Sequence, residues 1–233
     1  MNAFAFVFAR GGSKGFPGKN IHDFRGKPLI AWSVECAQSV TAIQSVIVST
    51  DSEEIAAIAQ SYGASVPFMR PPELASDESP EWLSWQHALS FLRESDLGMP
   101  EVMISLPATA PLRSVSDVEN CIEEYLKGES DVVVTVTESH RNPYFNMVTE
   151  NSEGNFELIM QQSRIFRRQD VPEVYDLSTV CYVANSEFVL SHGSIFDGRV
   201  RAVKIPRERS VDIDSLEDLK YAEFLLDERN ATS

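Results

Sequence analysis

The chain has 233 residues, 43% of them hydrophobic, and carries a net charge of −15. A summed field of that sign repels phosphate backbones and anionic lipid surfaces, which argues against nonspecific nucleic-acid or membrane binding. No apolar run approaches the ~20 residues of a membrane span, and Cys36, Cys121 and Cys181 are odd in number and far apart. Free thiols in a reducing compartment, and a soluble cytoplasmic protein, are the expectation.

The chain opens with a buried strand over residues 3–9 (AFAFVFA), ended by glycine. A helix follows over 28–39, with Pro28 at its start, where a missing N–H is harmless. A second strand is expected at 45–50, and a helix over 51–63 capped by Asp51 with Glu54 three residues on and ended by Gly63. Residues 64–69 read as a third strand, 81–94 as a helix, 101–106 as a strand, 114–128 as a capped helix and 131–137 as a strand. Regular alternation then breaks. Residues 140–177 hold scattered aromatics, a turn "SEGN" and several arginines, and read as an antiparallel insertion lying over the sheet. Strands at 179–184 and 200–205 and a helix over 215–229 complete the pattern. The fold class is α/β: a mainly parallel sheet with helices on both faces and a small antiparallel insertion, all in one domain spanning 1–233. Ligands of such sheets bind beyond the carboxyl ends of the strands, which here carry "ARGGSKG", Ser49-Thr50-Asp51 and "PATAPLR".

The stretch "ARGGSKGFPGKN" (9–20) concentrates cations in an acidic chain: residues 1–30 hold five basic side chains against one acidic. It is neither a P-loop nor a dinucleotide fingerprint. Gly11, Gly12 and Gly15 let the backbone turn and present N–H groups as an anion nest, around which Arg10, Lys14 and Lys19 place full charges. A triphosphate fits that chemistry, and Ser13 and Asn20 lie within the same stretch. Near the other end, "SVDIDSLEDL" holds Asp212 and Asp214 two apart, on one face if extended. Two carboxylates facing one way suit Mg²⁺, or Mn²⁺, shared with substrate phosphates. Asp214 has the alternative of merely capping the helix that begins near Ser215, and Glu217 and Asp218 on the first helical turn are left out of the site.

"ARGGSKGFPGKNI" resembles the opening signature of the acylneuraminate cytidylyltransferases, which activate sialic acids and related nine-carbon 2-keto sugar acids with CTP. "GKPLIAWSVECA", "VIVSTDSEEIAAIAQSYGA", "RPPELASDESP", "LPATAPLR", "RRQDVPEVY" and "VDIDSLEDL" follow in the family's order, so the resemblance covers most of the chain. It implies the nucleotide-diphospho-sugar transferase-like fold, a nucleotidyltransferase reaction and a homodimer. It assigns Arg10, Lys19 and Asn20 to the triphosphate and nucleotide, loop backbone (Gly11, Gly12, Ser13) to the base, Lys14 to a second phosphate contact, Arg70 to the nucleotide, and Asp212 and Asp214 to the metal. Arg168, with Gln169 beside it, matches an arginine that reaches the sugar carboxylate, in relatives often across a dimer interface; Arg164 and Arg167 join that cluster. Thr109 and Ser178 fall in loops that touch the sugar. Two departures mark a changed sugar site: Pro107 replaces a glutamine common in relatives, and Ser178-Thr179 replaces an asparagine–glycine pair, with Asp176 nearby. Arg113 could serve as an ion-pair partner under the loop instead of a ligand contact. No histidine is placed as a general base. Rival readings are the same chemistry on another acid such as the eight-carbon Kdo, or a noncatalytic sugar-nucleotide-binding protein.

Overall fold

The computed structural model describes residues 1–13, 15–160, 167 and 170–231. Lys14, Arg164, Arg168 and Gln169 therefore lie outside the described residues. A six-stranded sheet forms the centre. Its strands are β1 (Ala3–Phe8), β4 (Ser45–Ser49), β5 (Val102–Ser105), β6 (Val132–Glu138), β9 (Tyr175–Asn185) and β10 (Val200–Lys204), in the spatial order β10-β6-β9-β5-β1-β4. All neighbours are parallel except β9, which runs antiparallel to both β5 and β6. Periodicity carries no direction, so the reversed strand was not foreseeable from the pattern of apolar residues.

Two short pairs lie outside this sheet: β2 (Asp23–Phe24) with β3 (Lys27–Pro28), and β7 (Val148–Glu150) with β8 (Phe156–Leu158). The β7–β8 hairpin falls within the expected insertion. It pairs with no strand of the large sheet, and all its residues are exposed, so these strands do not cover the sheet as expected. The helices are α1 (Leu29–Ser39), α2 (Glu53–Ser61), α3 (Glu81–Glu94), α4 (Val115–Leu126), α5 (Ser186–Ser191) and α6 (Leu216–Ala231).

Strand alternation sorts the core into two layers. On β1, Ala3, Ala5 and Val7 face one layer, where α1 (Ile30, Val34), α2 (Ile55) and α4 (Val118, Ile122) pack. Phe6 faces the other, with Trp82, Trp85, Leu89 and Leu92 of α3 and Phe188 of α5. A third apolar cluster joins Phe16, Phe24, Leu29, Leu112 and Ile213 to Leu219, Ala222 and Leu226 of α6. That cluster fastens both the glycine-rich loop and the "VDID" segment to the body of the protein.

Three local expectations are corrected. Residues 64–69 form no strand; Ser65 makes a single parallel bridge to Ile47, and Pro67, which lacks an N–H, prevents a ladder. Ser52, not Asp51, caps α2 by accepting the Ile55 N–H at 3.3 Å. Arg113 is buried and makes no ion pair among the described residues: it donates to the carbonyls of Val180 (2.8 Å) and Pro107 and to the Ser33 hydroxyl. Burial pulls its pKa below the usual arginine value. It binds the "LPATAPLR" turn to α1 and β9.

Between Val134, opposite Tyr182, and Thr135, opposite Ser178, the β6–β9 register slips, and residues 179–181 bulge out. The buried Thr135 hydroxyl holds the bulge. It donates towards the carbonyls of Ser178 (3.0 Å) and Cys181 (3.2 Å) and accepts from the Ser178 hydroxyl (2.9 Å) and the Cys181 N–H (3.2 Å). Ser178 was expected to read the sugar; it is buried and its hydroxyl is committed to Thr135, because the bulge turns it inward. Among the described residues, no helix is long and apolar enough to cross a membrane, and the three cysteines are free.

Thr135→Val preserves shape but orphans these buried partners. It should cost about 1–3 kcal/mol in urea unfolding; an unchanged midpoint would contradict the clamp. A second test concerns the start of β6. The side chain and backbone N–H of Arg199 both donate to Asp131 and pull its carboxyl from 3.8 down to about 2. A depressed carboxyl contributes stability above its unfolded pKa and loses it as pH falls through the folded one. Thermal unfolding of Asp131→Asn between pH 5 and 2 should therefore show a shallower acid decline than the parent, with the difference confined to below pH ~4; parallel curves would refute the linkage.

Candidate functional site

The site forms because two distant segments are buried in one apolar cluster. Phe16, in the glycine-rich loop, and Ile213 are 6% and 0% exposed and belong to the same cluster. Ile213 is further fixed by its N–H, which donates to the Thr109 carbonyl at 2.8 Å. With Ile213 pointing in, extended backbone turns Asp212 and Asp214 the other way. Lys19 meets them there: its Nζ lies 2.7 Å from Asp214 Oδ1, a contact between residues 195 apart in sequence.

The alternative role for Asp214 as a helix cap is not what the structure shows. Ser215 and Asp218 form a reciprocal box at the start of α6. The Ser215 hydroxyl accepts the Asp218 N–H (3.2 Å), while the Asp218 carboxylate accepts the N–H groups of Ser215 (2.9 Å) and Asp214 (3.1 Å). The Asp214 side chain is left for Lys19.

A cleft of about 290 Å³ opens beyond the carboxyl ends of β1 and β5. It brings together Arg10, Ser13, Lys19, Asn20, Arg70 and Thr109, six residues singled out from sequence. Asn20 is buried and donates to the Arg10 carbonyl at 3.0 Å, so it shapes the loop as well as facing the cleft. Gly11 gives its N–H to Asp51 Oδ1 at 2.8 Å, which explains why Asp51 does not cap α2. The N–H groups of Gly12 and Ser13 have no protein acceptor among the described residues. Glycine is needed where the loop runs close to its neighbours: a Cβ on Gly15 would stand 3.3 Å from the Asp214 carbonyl oxygen, and one on Gly11 3.2 Å from Ser52 Cβ.

Arg70 is 6% exposed and donates to the Ser49 hydroxyl (3.1 Å) and carbonyl (2.5 Å), with the Phe8 ring 5.7 Å away. Burial lowers its pKa, against the pull of Asp51 and Glu81. Arg10 pairs with Asp77 at 2.7 Å. Asp212 lies close enough to Lys19 and Asp214 to feel both charges. Its Oδ1 is buried and accepts no hydrogen bond from the described residues. Burial raises its carboxyl above the ordinary range; the Thr109 hydroxyl, Lys19 and the Thr179 hydroxyl oppose that shift, and Asp214 adds to it. A buried carboxylate oxygen without a donor, beside a second carboxylate and facing a cationic loop, fits a hard cation better than it fits a protein hydrogen bond. Glu81 and Asp77 were missed in sequence, and Asp51 was read as a helix cap at a ligand-facing strand end. Their partners (Trp85, Arg10, Gly11) could not be inferred from local pattern, apart from the i, i+4 spacing of Glu81 and Trp85.

A family model described as Cytidylyltransferase matches residues 4–231. The chain is 35% identical over 225 residues to a Campylobacter coli protein named post-translational flagellin modification protein B, covering 96% of this chain and 94% of that one. It is 34% identical over 231 residues to a CMP-N,N'-diacetyllegionaminic acid synthase of Campylobacter jejuni, covering 96% and 94%. It is 31% identical over 225 residues to a pseudaminic acid cytidylyltransferase of the same species, covering 97% and 96%. Among solved structures, a CMP:2-keto-3-deoxy-manno-octonic acid synthetase complexed with CTP shares the fold, with a TM-score of 0.72 at 16% identity over 98% of this chain and 100% of that one.

The two acids at the start of α6 should separate in stability measurements. Asp218→Ala breaks the capping box and should cost about 1 kcal/mol. Asp214→Asn removes an ion pair whose acid is 74% exposed and should change unfolding by less than about 0.5 kcal/mol. Equal losses would contradict the assignment.

Proposed function

The chain belongs to the cytidylyltransferase family, and from that premise we propose that it activates a sialic-acid-like, nine-carbon 2-keto-3-deoxy sugar acid with CTP, giving the CMP-sugar and pyrophosphate. The observation that carries this reading is the 2.7 Å contact between Lys19, which lines the cleft, and Asp214, with Asp212 and its unpartnered carboxylate oxygen two residues away: the contact ties the cationic cradle to the paired carboxylates. The named relatives handle legionaminic and pseudaminic acids, which supports a sugar acid as the acceptor.

In this reading Lys19 and Arg10 take the triphosphate oxygens, Arg10 exchanging Asp77 for phosphate. The N–H groups of Gly12 and Ser13 supply further donors, and Asn20 holds the loop's shape. Arg70, rigid on Ser49, offers fixed positive charge on the cleft wall. Asp212 and Asp214 are the residues that would hold Mg²⁺ (or Mn²⁺), which when bound neutralises phosphate charge. Thr109 lies against the Asp212 carboxylate and lowers its pKa. The anomeric hydroxyl of the acid attacks the α-phosphorus in line, and pyrophosphate departs. The protein's contribution is positioning and charge stabilisation. The exposed Phe145, Phe156 and Met160 of the insertion support a homodimer, and the three free thiols a reducing, cytoplasmic setting.

Pyrophosphate release measured with CTP and a panel of eight- and nine-carbon keto sugar acids tests the proposal. Turnover should be greatest with a nine-carbon acid and should fall by roughly 100-fold or more in Asp214→Asn with the fold intact. CTP binding without turnover of any acid would refute it.

A further inference from the structure

Beside the nucleotide cleft lies a second, of about 230 Å³, walled by Trp82, Trp85, Tyr182, Ile195 and Phe196. One residue, Glu81, lines both clefts. Its carboxylate is half committed: Oε1 accepts the Trp85 indole N–H at 3.0 Å, and Oε2 accepts nothing from the described residues. The indole of Trp82 is also occupied, by the His192 carbonyl at 2.7 Å. The charge of Glu81 is felt at Tyr182 and Arg70, and burial, with a smaller push from Asp212, raises its own carboxyl above the ordinary range against the pull of Trp85 and Arg70. A substrate that occupies both clefts therefore meets Glu81 where they adjoin.

We infer, building on the sugar-acid reading above, that Glu81 is a specificity-determining residue whose free carboxylate oxygen accepts a hydrogen bond from a hydroxyl or amide N–H on the non-reacting part of the acid. A carboxylate is acceptor-only, so it pairs with a donor and is left unpaired by an analogue that lacks one. Arg70 on the nucleotide side balances its charge, which lets an acid stand beside two anionic substrates. An acid in the first turn of α3 also suits the helix macrodipole. That purely structural role predicts no dependence on the substrate, which separates the two.

The test pairs substrate and protein changes. Initial rates at saturating CTP are measured for a nine-carbon keto acid and for analogues each lacking one donor (deoxy or N-methylamide), with the parent protein, Glu81→Gln and Glu81→Ser. Glu81→Gln keeps an oxygen for Trp85 and guards against misfolding. For one analogue, kcat/KM with the parent should drop at least about tenfold. In Glu81→Ser that discrimination should shrink to under about threefold, through KM for the acid rather than for CTP. Discrimination that is the same in all three proteins, or a uniform loss across every acid, overturns the inference and leaves the transferase reading standing. A parent protein inactive on every acid overturns both.

Discussion

The site depends on burying Phe16 and Ile213 together. This apolar contact, not the charges, brings residues 195 apart within 2.7 Å. The ion pair itself adds little to stability, because Asp214 is 74% exposed and water screens it. Its importance is positional. Once Ile213 faces inward, Asp214 is left to meet Lys19 at the edge of the cleft, and the capping of α6 falls to Ser215 and Asp218. The two roles that might have competed for Asp214 are thus divided among neighbours.

The surrounding frame is built from polar groups that are satisfied internally. Arg113 ties the β5 turn to α1 and β9 through neutral acceptors, which avoids a second buried charge. Thr135 closes the bulge that sets Thr179 beside Asp212. Asp117 is buried and receives both Ser114, in the cap of α4, and a two-point contact from Arg209 at 2.9 Å, which holds the approach to the "VDID" segment. Buried polar groups are costly unless paired, and these pairings hold the bulge, the turn and the segment that carry cleft residues. The cations of the cleft follow the same rule. Arg10 and Lys19 each rest on a carboxylate, Asp77 and Asp214.

Much of this was legible in sequence where the signal is local. The apolar run of β1, the helix over 81–94 and the Ser114 cap with Asp117 three residues on needed no tertiary information. The cationic glycine loop and the paired aspartates were visible because they break an acidic, otherwise ordinary pattern. What was hidden depends on partners far away. Asp51 looked like a cap until Gly11 supplied an N–H. Ser178 looked like a sugar contact because a bulge leaves no trace in periodicity. The polar start of β9, Tyr175 to Ser178, did not read as strand, although it pairs with β6. Glu81 looked like an ordinary first-turn acid, and that it lines two clefts is visible only in three dimensions.

The central claim is that one polyphosphate site joins the two ends of the chain. The most direct measurement is a crystal structure of the protein soaked with CTP. The account predicts triphosphate density in the cleft, in contact with Lys19 and Arg10 and facing Asp212 and Asp214. Triphosphate bound elsewhere, with Lys19 still closed on Asp214 and the cleft empty, would contradict it.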